Sequence, residues 1–123
     1  MARYVDGFVI PVPKRKRAAY IKIAKVARDV WMELGALDYQ ECVADDVKPG
    51  KVTSFPQSVK LKAGEEVWFS YIVYKSRAHR DKVMKQVMKH PKLAGMDPKS
   101  MPFDGKRMFW GGFKPQVSAR ASR

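Results

Sequence analysis

Glu65-Glu66-Val67-Trp68-Phe69-Ser70-Tyr71-Ile72-Val73-Tyr74 holds, after its two leading glutamates, a single polar residue, Ser70. The other seven side chains are β-branched or aromatic, types that suit a pleated surface better than a helix. So continuous an apolar run reads as a central strand buried on both faces, and it sets the plan for the rest of the chain.

Working outward, Ser76 is placed to cap a helix running to about Lys89, with Val83, Met84, Val87 and Met88 as its apolar stripe and Pro91 as its stop. The segment from Leu93 to Lys106 reads as irregular and closes at an Asp104-Gly105 turn. A last strand, Arg107 to Phe113, contains Gly111-Gly112, a sign of a bulge or a close backbone approach. Upstream, 46–64 is long for a simple connection, so a short element of its own or a flap over the sheet is expected. Lys48-Pro49-Gly50-Lys51 within it has the composition of a type II turn. Ala36 to Asp45 alternates as a strand. Lys14 to Leu34 has helical spacing, with Tyr20, Ile23, Ala24, Ala27, Val30, Trp31 and Leu34 on one side and Gly35 at its exit. Arg3 to Pro13 forms the first strand, with Tyr4, Asp6, Phe8 and Ile10 on one face and Val5, Gly7, Val9 and Pro11 on the other.

The resulting order, β-α-β-β-α-β, predicts an α+β, ferredoxin-like sheet with two helices on one face. The expected organisation is a single domain over 1–113 and a flexible basic tail over 114–123. Two strands apolar on both sides leave one sheet face in need of cover. The expected cover is a second copy of the chain, giving a homodimer of the dimeric α/β barrel type.

Composition bounds the function classes. At 123 residues with 46% hydrophobic and 11% aromatic content, the chain is large and apolar enough to fold around one core. No run approaches the roughly 20 apolar residues of a membrane span, and the N-terminal residues lack the layout of a signal peptide, so a cytoplasmic protein without membrane contact is expected. The lone Cys42 cannot form an internal disulfide and is expected to be a buried small apolar residue. Net charge is +13. Residues 14–34 and 76–92 each contribute +5 and the tail +3, so the excess lies in the two helices and the tail. That invites a nucleic-acid reading, most directly through Lys14-Arg15-Lys16-Arg17, although an exposed solvated run is the plainer account.

Several strings together carry a family resemblance: Tyr4-Val5-Asp6-Gly7-Phe8, Gly35-Ala36-Leu37, Gly50-Lys51-Val52-Thr53, and above all Met101-Pro102-Phe103-Asp104-Gly105-Lys106-Arg107-Met108 followed by Gly111-Gly112-Phe113. On these the chain resembles the bacterial YbaA-like family of proteins of unknown function, over about residues 3 to 113. The resemblance implies a ferredoxin-like, dimeric α/β-barrel type of domain and no established activity. Its motifs avoid the basic helices and tail, so the charge reads as particular to this chain.

No Gly-x-Gly-x-x-Gly, Walker-type loop, His-Glu-x-x-His or Gly-x-Ser-x-Gly occurs. His79, His90 and Cys42 lie too far apart in sequence for a conventional metal motif, so neither metal nor cofactor is expected. Asp6, set between Tyr4 and Phe8, is a buried carboxylate working as a base or polar-ligand contact, a partner in an ion pair with Arg107 or a neighbouring lysine, or simply exposed at a sheet edge. Glu41, between Tyr39 and Val43, invites the same two readings, and a shared site requires both carboxylates to face one cavity. Arg107 is a candidate anion clamp, or part of a turn around Asp104-Gly105. Trp68, Tyr71 and Trp110 are either core or the walls of a site for a flat ligand. The leading expectation is a module that binds, or transforms without a cofactor, a small aromatic or carboxylate-bearing molecule between the sheet and segments 46–64 and 93–106. The alternative is RNA or other nucleic-acid binding.

Overall fold

The computed structural model describes residues 3–121. Four strands, β1 (Tyr4–Pro13), β2 (Asp38–Val43), β3 (Glu65–Tyr74) and β4 (Phe109–Phe113), form one antiparallel sheet in the order β2-β3-β1-β4, the ferredoxin-like arrangement. The β3 run that decided the plan is a ten-residue interior strand, paired with β1 from Tyr4↔Tyr74 to Pro13↔Glu65 and with β2 from Asp38↔Val73 to Val43↔Trp68. Two helices, α1 (Arg17–Glu33) and α3 (Arg77–Lys89), are separated in sequence by a one-turn helix, α2 (Phe55–Ser58). Val30 of α1 and Val83 and Val87 of α3 pack with Tyr4, Ile72 and Tyr74, which places both long helices on one sheet face. Full burial of each such side chain contributes roughly 1.5–3 kcal/mol.

Local chemistry explains the ends. The Ser76 hydroxyl accepts from the His79 N–H, so α3 begins where the cap predicts. Gly35 takes φ +111° at the exit of α1. The entry of α1 differs from expectation: Lys14–Lys16 form a 3-10 turn and the α-helix starts at Arg17. A cation there opposes the helix dipole, and β3 supplies the remedy. The Arg17 guanidinium grips Glu66 with two bonds, of 2.8 and 2.5 Å. Pro91 does end α3, but it also opens another single turn, α4 (Pro91–Ala94).

Two expectations are corrected and a third is narrowed. Gly50 does not take the positive φ of a type II turn, because its N–H is held by the Gln57 Oε1 at 2.8 Å in a capped turn built on Ser54. Cys42 is exposed rather than buried, since it lies on the edge strand β2 and points away from the helices. Of the two readings of Gly111-Gly112, the bulge is absent, since the register runs unbroken from Val5↔Phe113 to Val9↔Phe109, and the close backbone approach holds. Glycine at 112 admits the Tyr4 ring, whose hydroxyl would lie 2.3 Å from any added Cβ.

The face away from the long helices is covered at one end only. Val59 and Leu61, just past α2, pack on Val9 and Val67, so segment 46–64 both contains an element and folds over the sheet. Phe69, Phe109 and Phe113 on that face remain 43%, 46% and 65% exposed. The sheet is open, with β2 and β4 as its edges. Residues 114–121 carry no helix or strand, and the last two residues of the expected tail lie outside the described residues.

Candidate functional site

Between the helical face of the sheet and α1 lies a cavity of about 540 Å³. Phe8, Ile10 and Ile72 form its floor, and Ile23, Ala27 and Trp31 of α1 one wall. The roof comes from the end of α3 and the segment after it, through Met88, Leu93, Met96, Met101, Phe103 and Met108. Four of the seven methionines of the chain therefore line one cavity. Their unbranched thioethers adapt to irregular shapes more readily than Leu or Ile would.

One carboxylate enters this apolar space. Glu41 on β2 shares a face with Tyr39 and stands opposite Ser70 of β3. Its Oε1 accepts from the Tyr20 hydroxyl at 2.8 Å and from the Ser70 hydroxyl, and its Oε2 accepts from the Tyr39 hydroxyl at 2.8 Å. Burial first, and then the adjacent Glu41 charge, push the Tyr20 and Tyr39 phenols well above their usual range, so both remain protonated donors. Among the described residues no Lys, Arg or His lies within ion-pair distance of Glu41. A second cleft of about 310 Å³, lined by Lys25, Arg28 and Trp68, shares Tyr39, Glu41 and Ala24 with the first.

The two candidate carboxylates face the same side of the sheet but do not share a site. Asp6 is fully buried, and its Oδ1 accepts from Arg80 of α3 at 3.0 Å. Its partner is therefore neither Arg107 nor a lysine. The Arg80 guanidinium is also stacked against the rings of Tyr4 and Trp110, at 5.0 and 5.7 Å. Among the described residues Asp6 Oδ2 has no hydrogen-bond partner, although the Tyr74 hydroxyl is close enough to favour the charged form. Burial raises the Asp6 carboxyl above its ordinary value, with Arg80 opposing.

Arg107 spends its donors internally, on Glu65 at 2.8 and 2.6 Å, on Asp104 at 2.8 Å, and on the Val59 and Lys60 carbonyls. It fastens the roof segment to β3 and to the flap on the other face. Trp68, Tyr71 and Trp110 lie apart. Trp68 is buried and donates to Glu66 at 3.1 Å, Tyr71 faces the opposite side, and Trp110 stacks on Phe8 at 5.8 Å. Lys14, Arg15 and Lys16 are exposed, whereas Arg17 is committed to Glu66. No cluster of three or more metal-ligating side chains occurs among the described residues.

Of the expected flanks, 93–106 does roof the cavity, while 46–64 lies across the sheet from it. The residues that sequence reasoning passed over are Tyr20, Tyr39, Ser70 and Arg80. Ser70 had a visible signal, being the only polar break in an otherwise apolar strand.

The model of the DUF1428 family, proteins of unknown function, matches residues 3–105. The chain belongs to this family. Its relatives include the uncharacterized protein YbaA of Escherichia coli K12, 47% identical over 112 residues that cover 91% of this chain and 95% of that protein. The YbaA protein of Shigella flexneri matches to the same extent. Among solved structures, a protein from an uncultured marine organism described as dimeric and ferredoxin-like aligns over 98% of this chain and all of its own, with a TM-score of 0.57 at 11% identity. That likeness supports the ferredoxin-like fold. The string Met101 to Met108 contributes four residues to the cavity lining.

Proposed function

We propose that the chain is a small-molecule-binding module whose site is the cavity between the sheet and α1. The observation behind this reading is an apolar space of about 540 Å³ entered by a single carboxylate held by three hydroxyls. Ligand sites combine a mostly apolar lining with a few convergent polar groups in this way. A carboxylate-bearing ligand, one of the two expected classes, is disfavoured because the lining contains a carboxylate and no cation. Glu41, rather than Asp6 or Arg107, is the polar contact in this reading.

The test uses protein labelled with 13C at its methionine methyls. Titration with naphthalene, a neutral apolar probe, is expected to shift the Met96, Met101 and Met108 resonances. Met32, exposed on α1 and outside the lining, should stay in place. Shifts confined to residues outside the cavity, or none at all, would remove this assignment.

The exposed Phe69, Phe109 and Phe113, with Phe55 of α2 at 48%, favour a homodimer through the open sheet face, closing a barrel from two sheets. The dimeric description of the marine structural neighbour is in keeping with that reading. Sedimentation should give the dimer mass at micromolar concentration, and Phe113→Glu should give the monomer.

The nucleic-acid alternative keeps one specific support. Glu65 and Glu66, which stand opposite Pro13 and Val12 just before the exposed Lys14–Lys16 turn, are already engaged by Arg107 and Arg17. A gel shift with RNA at two salt concentrations decides it, since binding through phosphates weakens steeply with salt. No shift at low salt ends it.

A further inference from the structure

We infer that the molecule this cavity takes is an organic cation, an ammonium group on an apolar or aromatic body; this rests on the ligand-binding reading and narrows it to one charge class. A carboxylate offers about four lone-pair sites. Among the described residues three are occupied at Glu41, two on Oε1 and one on Oε2, so Oε2 retains a place for one more donor. The three donors present are neutral hydroxyls, which orient the carboxylate without cancelling its charge.

Nor does a cation pair with it. Lys25 and Arg28 line the second cleft, which also reaches Glu41, but among the described residues neither lies within ion-pair distance of it, and Arg28 is bonded to Asp29 at 2.9 Å. The walls around the carboxylate are rich in rings: Tyr20 against Phe103 with centroids 5.9 Å apart, Trp31 against Tyr39 at 6.0 Å, and Phe8 on the floor. Aromatic faces attract cations and give anions nothing comparable. A carboxylate set among aromatic rings is the chemistry that selects an ammonium group. The methionine roof and aliphatic floor suit its apolar body.

Three matched probes of one shape separate the charge classes: 2-naphthylmethylammonium, 2-naphthylmethanol and 2-naphthoate, each titrated calorimetrically with the methionine methyls as site reporter. The ammonium is expected to bind about tenfold or more tightly than the alcohol, as a charge-assisted hydrogen bond exceeds a neutral one. The carboxylate should bind more weakly than the alcohol. Glu41→Gln keeps the side-chain length, removes the charge, and should bring the ammonium down to the affinity of the alcohol. Equal affinities in the parent protein, or preference for the carboxylate, would overturn the cation assignment while leaving the binding site standing. If neither naphthalene nor any of the three moves the cavity methyls, the binding reading itself fails. Should Glu41→Gln not fold, Ser70→Ala retains the carboxylate and frees a lone pair on Oε1. The ammonium-to-alcohol ratio should then hold or rise, and a ratio of one counts against the proposal.

Discussion

Asp6 and Glu41 stand on the same face of the same sheet, two strands apart, and are accommodated by opposite means. Asp6 is closed off from water and held by a cation, Arg80, which is itself wedged between two aromatic rings. Glu41 is only half-buried and is held by three neutral hydroxyls beside an open cavity. The first arrangement spends the carboxylate on joining α3 to β1. The second leaves its charge and one lone pair available. Two acidic residues that look alike as strand interruptions thus divide into a structural tie and a candidate contact for a ligand.

The largest effect is expected where the tie is broken on one side. Arg80→Met leaves the buried Asp6 carboxyl without its cation, to be carried unpaired or neutralised by a proton, and should destabilise the fold by about 3–5 kcal/mol in urea unfolding. A loss under about 1 kcal/mol would mean that Asp6 is hydrated or readily neutralised, and that the tie to Arg80 does not separate it from Glu41. The same carboxylate leaves a signature in pH. Because burial raises its folded-state pKa above 3.8, the folded chain binds that proton more tightly than the unfolded chain does. Its charge therefore weighs against folding increasingly as pH rises from about 3.8 through the raised value, and then levels off. Glu65 and Glu66, lowered first by their hydrogen bonds to Arg107 and Arg17, act in the other direction: they stabilise above 4.5, and that contribution is lost as the solution is acidified. Asp6→Asn removes only the first contribution, so the stability of the variant relative to the parent should climb with pH above 3.8. A flat difference curve would show that Arg80 fully offsets the desolvation.

Next in size is the pin that holds the roof. Arg107→Ala frees Glu65, Asp104 and two carbonyls at once and should cost about 2–3 kcal/mol, read from the unfolding midpoint. If Arg107 instead acted as an anion clamp, the same change would remove ligand affinity with little loss of stability. Gly112→Ala tests the Asp6 end from the β4 side. The new Cβ would meet Tyr4 at 2.3–2.8 Å, and Tyr4 is held beside Arg80, so a loss of about 1–3 kcal/mol is expected. Gly111→Ala, whose nearest neighbour is a Phe113 ring carbon at 3.6 Å, should stay within about 0.5 kcal/mol.

How much of this could be read from the residues depends on the range of the interaction. The strands, α1 and the Ser76 cap follow from periodicity and from contacts a few residues long, and β3 needed no partner to be recognised. Asp6 could be singled out as a buried charge, but its partner could not. Arg80 lies in a helix with Arg77, Lys82 and Lys85, where it reads as one more solvated cation, and only the packing of α3 over β1 turns it inward. The sequence likewise marks Arg107 as an ion-pairing side chain without showing its partner, since Glu65 lies 42 residues away. Gly50 shows a subtler failure: its turn was set by the Gln57 side chain rather than by the Pro-Gly dipeptide. The cavity itself has no signature in periodicity, because the pattern that brings α1 onto the sheet does not say where the packing leaves space.

Little change in stability is expected at Glu41, and there lies the sharpest test of the contrast with Asp6. Glu41→Gln preserves length and one carbonyl-type acceptor, while its amide offers donors that the Tyr20, Tyr39 and Ser70 hydroxyls can accept by rotating. It also removes a charge from a half-buried, apolar setting, which works in favour of folding. These contributions nearly cancel, so the unfolding free energy should move by less than about 1 kcal/mol in either direction, against the several expected for Arg80→Met. A side chain retained for binding rather than for the fold is expected to behave in this way, because sites that await a ligand are seldom optimised for stability. Should Glu41→Gln instead destabilise the chain as severely as Arg80→Met, the hydroxyl cluster would be a second structural tie, and the cavity beside it would lose its one polar contact for a ligand.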